Sequence, residues 1–197
     1  GSSTQDFSLG VSGSISDFIS VSSPGPRFFE IKSPGETSYA LKQSTADILT
    51  ADPNVKLIIT TELTSSDHID QLNFIAGKHP SGVTKASITT EKKNLDGTTK
   101  SLTTGSGDDI AITVTNAAPL SLFATLKGKT TAIVTFDKGS TGKIAEFASA
   151  SDATSALKAY VVDNAAADIT LSALTPLLLS SISLKSLLAD LLNLALA

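Results

Sequence analysis

Asp108 and Asp109, preceded by Gly105-Ser106-Gly107 and followed by Ile110, have the form of one copy of a calcium-binding nonapeptide repeat. Such repeats bind by stacking, each turn completing its neighbour's site, and a single copy closes none. The two carboxylates are candidates for a looser calcium site. The plainer reading is a glycine-rich turn ahead of a strand. Gly139-Ser140-Thr141-Gly142-Lys143 has the composition of a phosphate loop, but Asp137 stands where the first glycine is needed and Ile144 replaces the Ser or Thr after the lysine. An acidic side chain there repels phosphate, so the stretch reads as a flexible turn.

His68 and His79 are the only histidines. A zinc site would need a further nitrogen or sulfur ligand, or carboxylates brought from afar. His68 beside Asp67 and Asp70 reads instead as a helix N-terminus carrying favourable acidic charge. Ser155 and Lys158 fit Ser-x-x-Lys, without the Ser-Asp-Asn or Lys-Thr-Gly partner motifs and without any Gly-x-Ser-x-Gly elbow elsewhere. A nucleophile needs a tuned base beside it, and none is nominated. The chain therefore reads as non-enzymatic, with no catalytic residue and no cofactor assigned.

Composition narrows the partners. Lys and Arg total 15 against 19 Asp and Glu, the net charge is -4, and Arg27 is the only arginine. Nucleic-acid surfaces rely on basic faces rich in arginine, so nucleic acid is not an expected partner. Cys, Met and Trp are all absent, which rules out disulfide and thiol chemistry and leaves few oxidisable side chains. That usage suits a secreted or cell-surface protein. Gly1-Ser2 reads as a cleavage scar. Hydrophobic residues make up 41% of the chain while aromatics reach only 5%, so the core must be aliphatic.

The elements come from periodicity. Val55 to Leu63 is the best interior strand, dense in β-branched residues. Tyr39 to Leu49 reads as a strand followed by a helical turn. A helix is expected from about Asp67 to Ala76, stopped by Gly77. Lys85 to Lys93 and Thr98 to Thr103 flank Asn94-Leu95-Asp96-Gly97 and read as a projecting hairpin. Asp109 to Asn116, Leu120 to Leu126 and Thr130 to Phe136 read as an antiparallel meander. Asp152 to Val162 reads as a helix, and Ala167 to Leu171 as one more strand. Thr175 to Ala197 repeats leucine at helical spacing. Lys185 and Asp190 in its middle argue for an amphipathic helix packed on the domain, with packing in an oligomer and then membrane contact as alternatives. No internal repeat of fixed period is evident.

Together these give a mainly β protein, an Ig-like or jelly-roll β-sandwich with a few short helices and a C-terminal amphipathic helix. The expected organisation is an N-terminal extension over 1–22, a core over 23–172 and an apolar helix over 173–197. The extension carries the strongest pattern: Phe7, Leu9, Val11, Gly13 and Ile15 occupy every second position, with small polar residues between. That period puts one apolar face on a strand. Gly13 permits a close backbone approach.

The Phe-x-Leu-x-Val-x-Gly-x-Ile spacing resembles fibre subunits that polymerise by donating an N-terminal strand, namely chaperone–usher pilins and TasA/camelysin-type biofilm fibres. Pro34-Gly35-Glu36 leading into a strand adds to the resemblance. The chain departs from classical pilins in lacking cysteine and in ending on an apolar helix. The resemblance implies a secreted structural subunit of a surface fibre or biofilm matrix, a homopolymer built by strand addition to a neighbour. Phe7, Leu9, Val11 and Ile15 would then be interface anchors, each worth about 1.5–3 kcal/mol on full burial. Removing residues 4–16 is expected to abolish polymers and leave a folded monomer. The alternative is a monomeric secreted binding module, either a carrier of an apolar ligand or a surface adhesin in which the first strand pairs within its own chain.

Overall fold

The computed structural model describes residues 7–22, 37–149, 151, 153–166 and 168–171. The chain runs β1 (Val11–Gly13), α1 (Ile15–Phe18), β2 (Ile19–Ser22), β3 (Ser38–Leu41), α2 (Gln43–Ala51), β4 (Lys56–Leu63), α3 (Ser66–Lys78) and β5 (Val83–Thr90). After a 3-10 turn at Lys92–Asn94 come β6 (Asp109–Val114), β7 (Ala118–Pro119), α4 (Leu120–Lys127), β8 (Val134–Phe136), β9 (Ser140–Gly142), α5 (Ile144–Phe147), α6 (Ser155–Asp163) and β10 (Ile169–Leu171). Five strands form one sheet in the order β1-β4-β5-β6-β8, and every pairing in it is parallel. A second parallel sheet holds β10-β9-β7, and β2 pairs antiparallel with β3.

This is a mixed α/β architecture, and it overturns the expected β-sandwich. Parallel neighbours need crossover connections, and the chain supplies them: α3 links β4 to β5, and α4 lies between β7 and β8. Leu120 to Leu126 alternates on paper but forms helix, because Leu120, Leu122, Phe123 and Leu126 together give it a buried side. The expected hairpin at 85–103 fails for a related reason. Thr84, Ala86, Ile88 and Thr90 are buried, so β5 is a central strand between β4 and β6. The Asp96-Gly97 turn survives as a small closure, with Gly97 at φ +91° donating its N–H to Lys100 O. Helix α3 starts at Ser66 after the Ser65 cap, one residue before the expected Asp67, and runs through Gly77 to Lys78. Pro34-Gly35-Glu36 and the leucine-rich segment 173–197 lie outside the described residues.

Strand order in the larger sheet advances in one direction and never reverses among the described strands. Ile112 pairs with Val134 and Ala118 with Ser140, a step of 22 residues in both sheets. The stretch from β6 to α4 and the stretch from β8 to α5 are therefore two stacked coils, the repeat that the sequence conceals. Only the strand registers repeat; the side chains filling the coils differ. The core sits on one side of the larger sheet, where Leu57, Ile59, Ala86, Ile88, Ile110, Ile112, Val114, Val134 and Phe136 are buried.

Coils are tied by side chains as well as by main chain. Near the strand starts, Thr84 N donates to Asp108 Oδ1 at 2.8 Å, Ile110 N to Thr130 Oγ1 at 2.8 Å and Val134 N to Asp163 Oδ2 at 3.0 Å. Beyond β5, Lys92 N donates to Asn116 Oδ1 at 2.9 Å. In each case a polar side chain later in the sequence satisfies a backbone N–H of the preceding strand or its exit. Such pairing removes the penalty of about 1–3 kcal/mol for a buried unsatisfied group.

Candidate functional site: the open face of the parallel sheet

All-parallel sheets are ordinarily covered on both faces and read as continuous apolar runs. Here the second face is polar. Register aligns Ser12, Ile58, Lys85 and Asp109 in one row, Glu62, Ser87 and Ala111 in a second, and Thr89, Thr113 and Thr135 in a third. Neighbouring strands lie about 4.8 Å apart, so these rows present hydroxyls and charges at regular intervals. Alternation explains the arrangement: within β5 and β6 the intervening residues are those that fill the core.

At one end of this face Asp109 Oδ2 lies 3.1 Å from Lys56 Nζ and 3.5 Å from Lys85 Nζ. The hydrogen bond from Lys56, with the further charge of Lys85, holds the Asp109 carboxyl below its ordinary value despite some desolvation. Three strands are bridged by this one carboxylate. Exposed ion pairs contribute little stability, so the triad's main consequence is a fixed charge pattern on the surface.

The two calcium candidates are placed on different sides of the sheet. Asp108 is buried, its Oδ1 accepting from Thr84 N and its Oδ2 from Gly105 N at 2.8 Å each. Asp109 faces the lysines. Among the described residues no group of three or more His, Asp or Glu side chains is placed to hold a metal ion. Gly139-Ser140-Thr141-Gly142-Lys143, read as a turn, contains β9, while Gly139 adopts φ +70° hard against Asp168 O. A side chain at Gly139 would meet that oxygen, so the glycine is required for coil packing.

His68 Nδ1 accepts from Thr64 N at 3.1 Å and its own N–H binds the Ser65 cap. His79 is only 3% exposed, and neither ring nitrogen has a hydrogen-bond partner. Burial pushes its pKa down, opposed by the charge of Asp108. Ser155 is exposed in the first turn of α6, capped by Thr154. The Tyr160 hydroxyl is buried without a partner and is raised to about 12 by desolvation. None of these groups meets another in a nucleophile–base pair.

The first strand departs from its expected form. Only Val11–Gly13 is strand, and it pairs with Leu57, Ile58 and Ile59 of its own chain. Phe7 closes a turn with Gly10, whose φ is +82° and where an added Cβ would lie 2.6 Å from Lys56 O. Leu9 is 91% exposed. Ile15 is buried in α1, its N–H donating to Thr61 Oγ1 at 3.2 Å. Of the four expected anchors, Val11 thus lies in the sheet edge beside Gly13, Ile15 in the core, Phe7 against it and Leu9 in solvent.

Sequence reasoning did not single out Lys56, Lys85, Thr113 or Thr135. Period-2 polarity in Asp109–Val114 marked an exposed face, but the parallel register that lines up four strands has no local signal. Comparison with family models, with curated proteins and with solved structures found no match.

Proposed function

We propose that the chain is a non-enzymatic module of a secreted or cell-surface protein, a stack of coils that acts as a surface adhesin through its open sheet face. The observation that supports this reading is the one-sided parallel sheet: its outer rows are mainly hydroxyls and charged groups, with Ile58 and Ala111 among them, unlike the continuous apolar second face of a buried sheet. Extended faces of stacked coils are suited to long partners. Hydroxyl rows favour recognition by many hydrogen bonds. The absence of Cys, Met and Trp supports an extracellular setting.

First-strand donation is less well supported. Val11–Gly13 already completes its own sheet, and Ile15 belongs to the core. The test is an adhesion assay in which beads coated with the full chain are presented to cells and to their extracellular matrix. Ser87→Arg with Thr113→Arg is expected to remove adhesion while leaving the circular-dichroism spectrum unchanged. Equal adhesion by the folded variant overturns the reading. So do fibres formed by the unaltered chain in negative stain, which would restore strand donation.

A further inference from the structure

The five-stranded sheet ends differently at its two edges, and the β8 edge is closed by side chains. Val134 N donates to Asp163 Oδ2 at 3.0 Å, Phe136 N donates to Asn164 Oδ1 at 2.7 Å, and Asn164 Nδ2 donates to Val134 O at 2.8 Å. These are the backbone groups that a sixth strand would use. An amide side chain carries the same donor and acceptor as a peptide group, so Asn164 takes the place of a strand residue without extending the sheet.

The closure is held firmly. Asn164 Nδ2 also donates to Tyr160 O at 3.1 Å, and Lys127 Nζ lies 2.7 Å from Asp163 Oδ2. Tyr160 packs edge-on against Phe136 and Phe123, with ring centroids 5.7 and 5.2 Å apart. The C-terminal end of α6 is thus fixed over the strand by hydrogen bonds, an ion pair and an aromatic cluster.

At the opposite edge, among the described residues no strand lies beyond β1. Exposed apolar side chains flank both edges: Leu9 precedes β1, while Ile133 (58% exposed) precedes β8 and Val162 (81% exposed) precedes the closing pair. Both strands run in the same direction in one parallel sheet. A second copy translated along the stack would bring its β1 edge to this β8 edge with the parallel sense preserved. That contact is head-to-tail and does not close on itself, so it generates an open filament.

We infer that Asp163 and Asn164 seal the β8 edge against the β1 edge of a second copy of this chain. The pair is a device against filament growth, of the kind that sheet edges require. It is independent of adhesion through the open face, and its test reads a different quantity.

Asp163→Ala with Asn164→Ala in the full chain is expected to shift a single monomeric peak in light-scattering chromatography to species of at least several-fold higher mass. Filaments should appear in negative stain. Adding Ile133→Lys, or Leu9→Lys at the other edge, should return the unsealed chain to monomer. A folded double variant that stays monomeric overturns the inference, as does assembly unaffected by both lysines. If the double variant fails to fold, Asn164→Ser decides the matter, since it deletes both amide bonds and keeps Asp163. Filaments from a folded Asn164→Ser chain support the seal, and a folded monomer overturns it.

Discussion

The two edges of the larger sheet meet one physical demand in opposite ways. A terminal strand exposes backbone donors and acceptors on its outer side. Both edge strands are three residues long; at the β1 edge the strand is confined between the Gly10 turn and α1, with Leu9 in solvent. At the β8 edge the answer is substitution, with Asp163 and Asn164 occupying the backbone groups directly. A confined edge costs little to build and leaves little to hold. A side-chain closure needs several buried polar atoms aligned within hydrogen-bond distance, and it fails if one is removed. The comparison shows that the α6 end depends on a few aligned polar atoms, whereas the β1 end leans on apolar packing of Ile15 and its neighbours.

The largest expected effect therefore comes from breaking that end. Asn164→Ala leaves Phe136 N and Val134 O without partners in a buried setting. At about 1–3 kcal/mol for each orphaned group, the loss is expected to be roughly 2–5 kcal/mol, read from urea unfolding. An unchanged midpoint would show that water replaces the amide at no cost, and that the two ends are equally soft.

The next effect lies at the β1 end. Ile15→Ala removes a buried side chain of α1 and is expected to cost about 2–4 kcal/mol. This marks the boundary between the soft edge and the core: Ile15 belongs to the core although it lies two residues from the strand. By the same reasoning, deleting residues 4–16 strips Ile15 and all of β1 from the fold, so the shortened chain should be destabilised rather than left as an intact monomer. A midpoint within error of the full chain would show that α1 does not support the sheet.

How much of this was legible in the sequence follows the range of the interactions. Val55 to Leu63 was readable as a strand because β-branched density is local. The α3 and α6 helices were readable from caps and apolar spacing, to within three residues at each end. Architecture was not readable. Leu120 to Leu126 shows a strand's alternation and yet forms helix, because Phe123 supplies a helical contact with Phe136 and Tyr160, far along the chain. β5 was misread because its buried face includes Thr84 and Thr90, placed there by register, with the Thr90 hydroxyl bonded to Thr64 O and the Thr84 hydroxyl buried without a partner. The 22-residue step escaped notice because it is a repeat of register, not of residue identity. The open face was half legible: its polarity shows in β6, but its extent depends on parallel pairing. The sealing pair carried one signal, an Asn at the end of a helical run, which is a common C-terminal residue.

A pH series sharpens the comparison from inside the stack. His79 is buried near the start of β5, away from both edges, with its pKa lowered by desolvation. A base whose folded pKa lies below its unfolded value binds fewer protons when folded. Stability is then full above the unfolded value, about 6.5, and falls as pH drops below it. The unaltered chain is expected to lose stability as pH falls below about 6.5. His79→Leu should flatten that limb. An identical acid limb in the variant would place the titration elsewhere.

The smallest expected effect tests the claim that the β1 edge is soft. Leu9 is 91% exposed, so its side chain has almost no burial to lose. Leu9→Ser is expected to change stability by less than about 0.5 kcal/mol, as surface substitutions do. If Leu9 were an anchor gripping a partner or the chain's own core, the same substitution would remove about 1.5 kcal/mol or more of transfer free energy. The two outcomes differ by three-fold or more and are separable in one unfolding series run at two protein concentrations. Concentration-independent midpoints with a near-zero change place Leu9 in solvent. A concentration-dependent midpoint that Leu9→Ser abolishes would mean that this edge is occupied by a second copy even while the β8 edge is sealed.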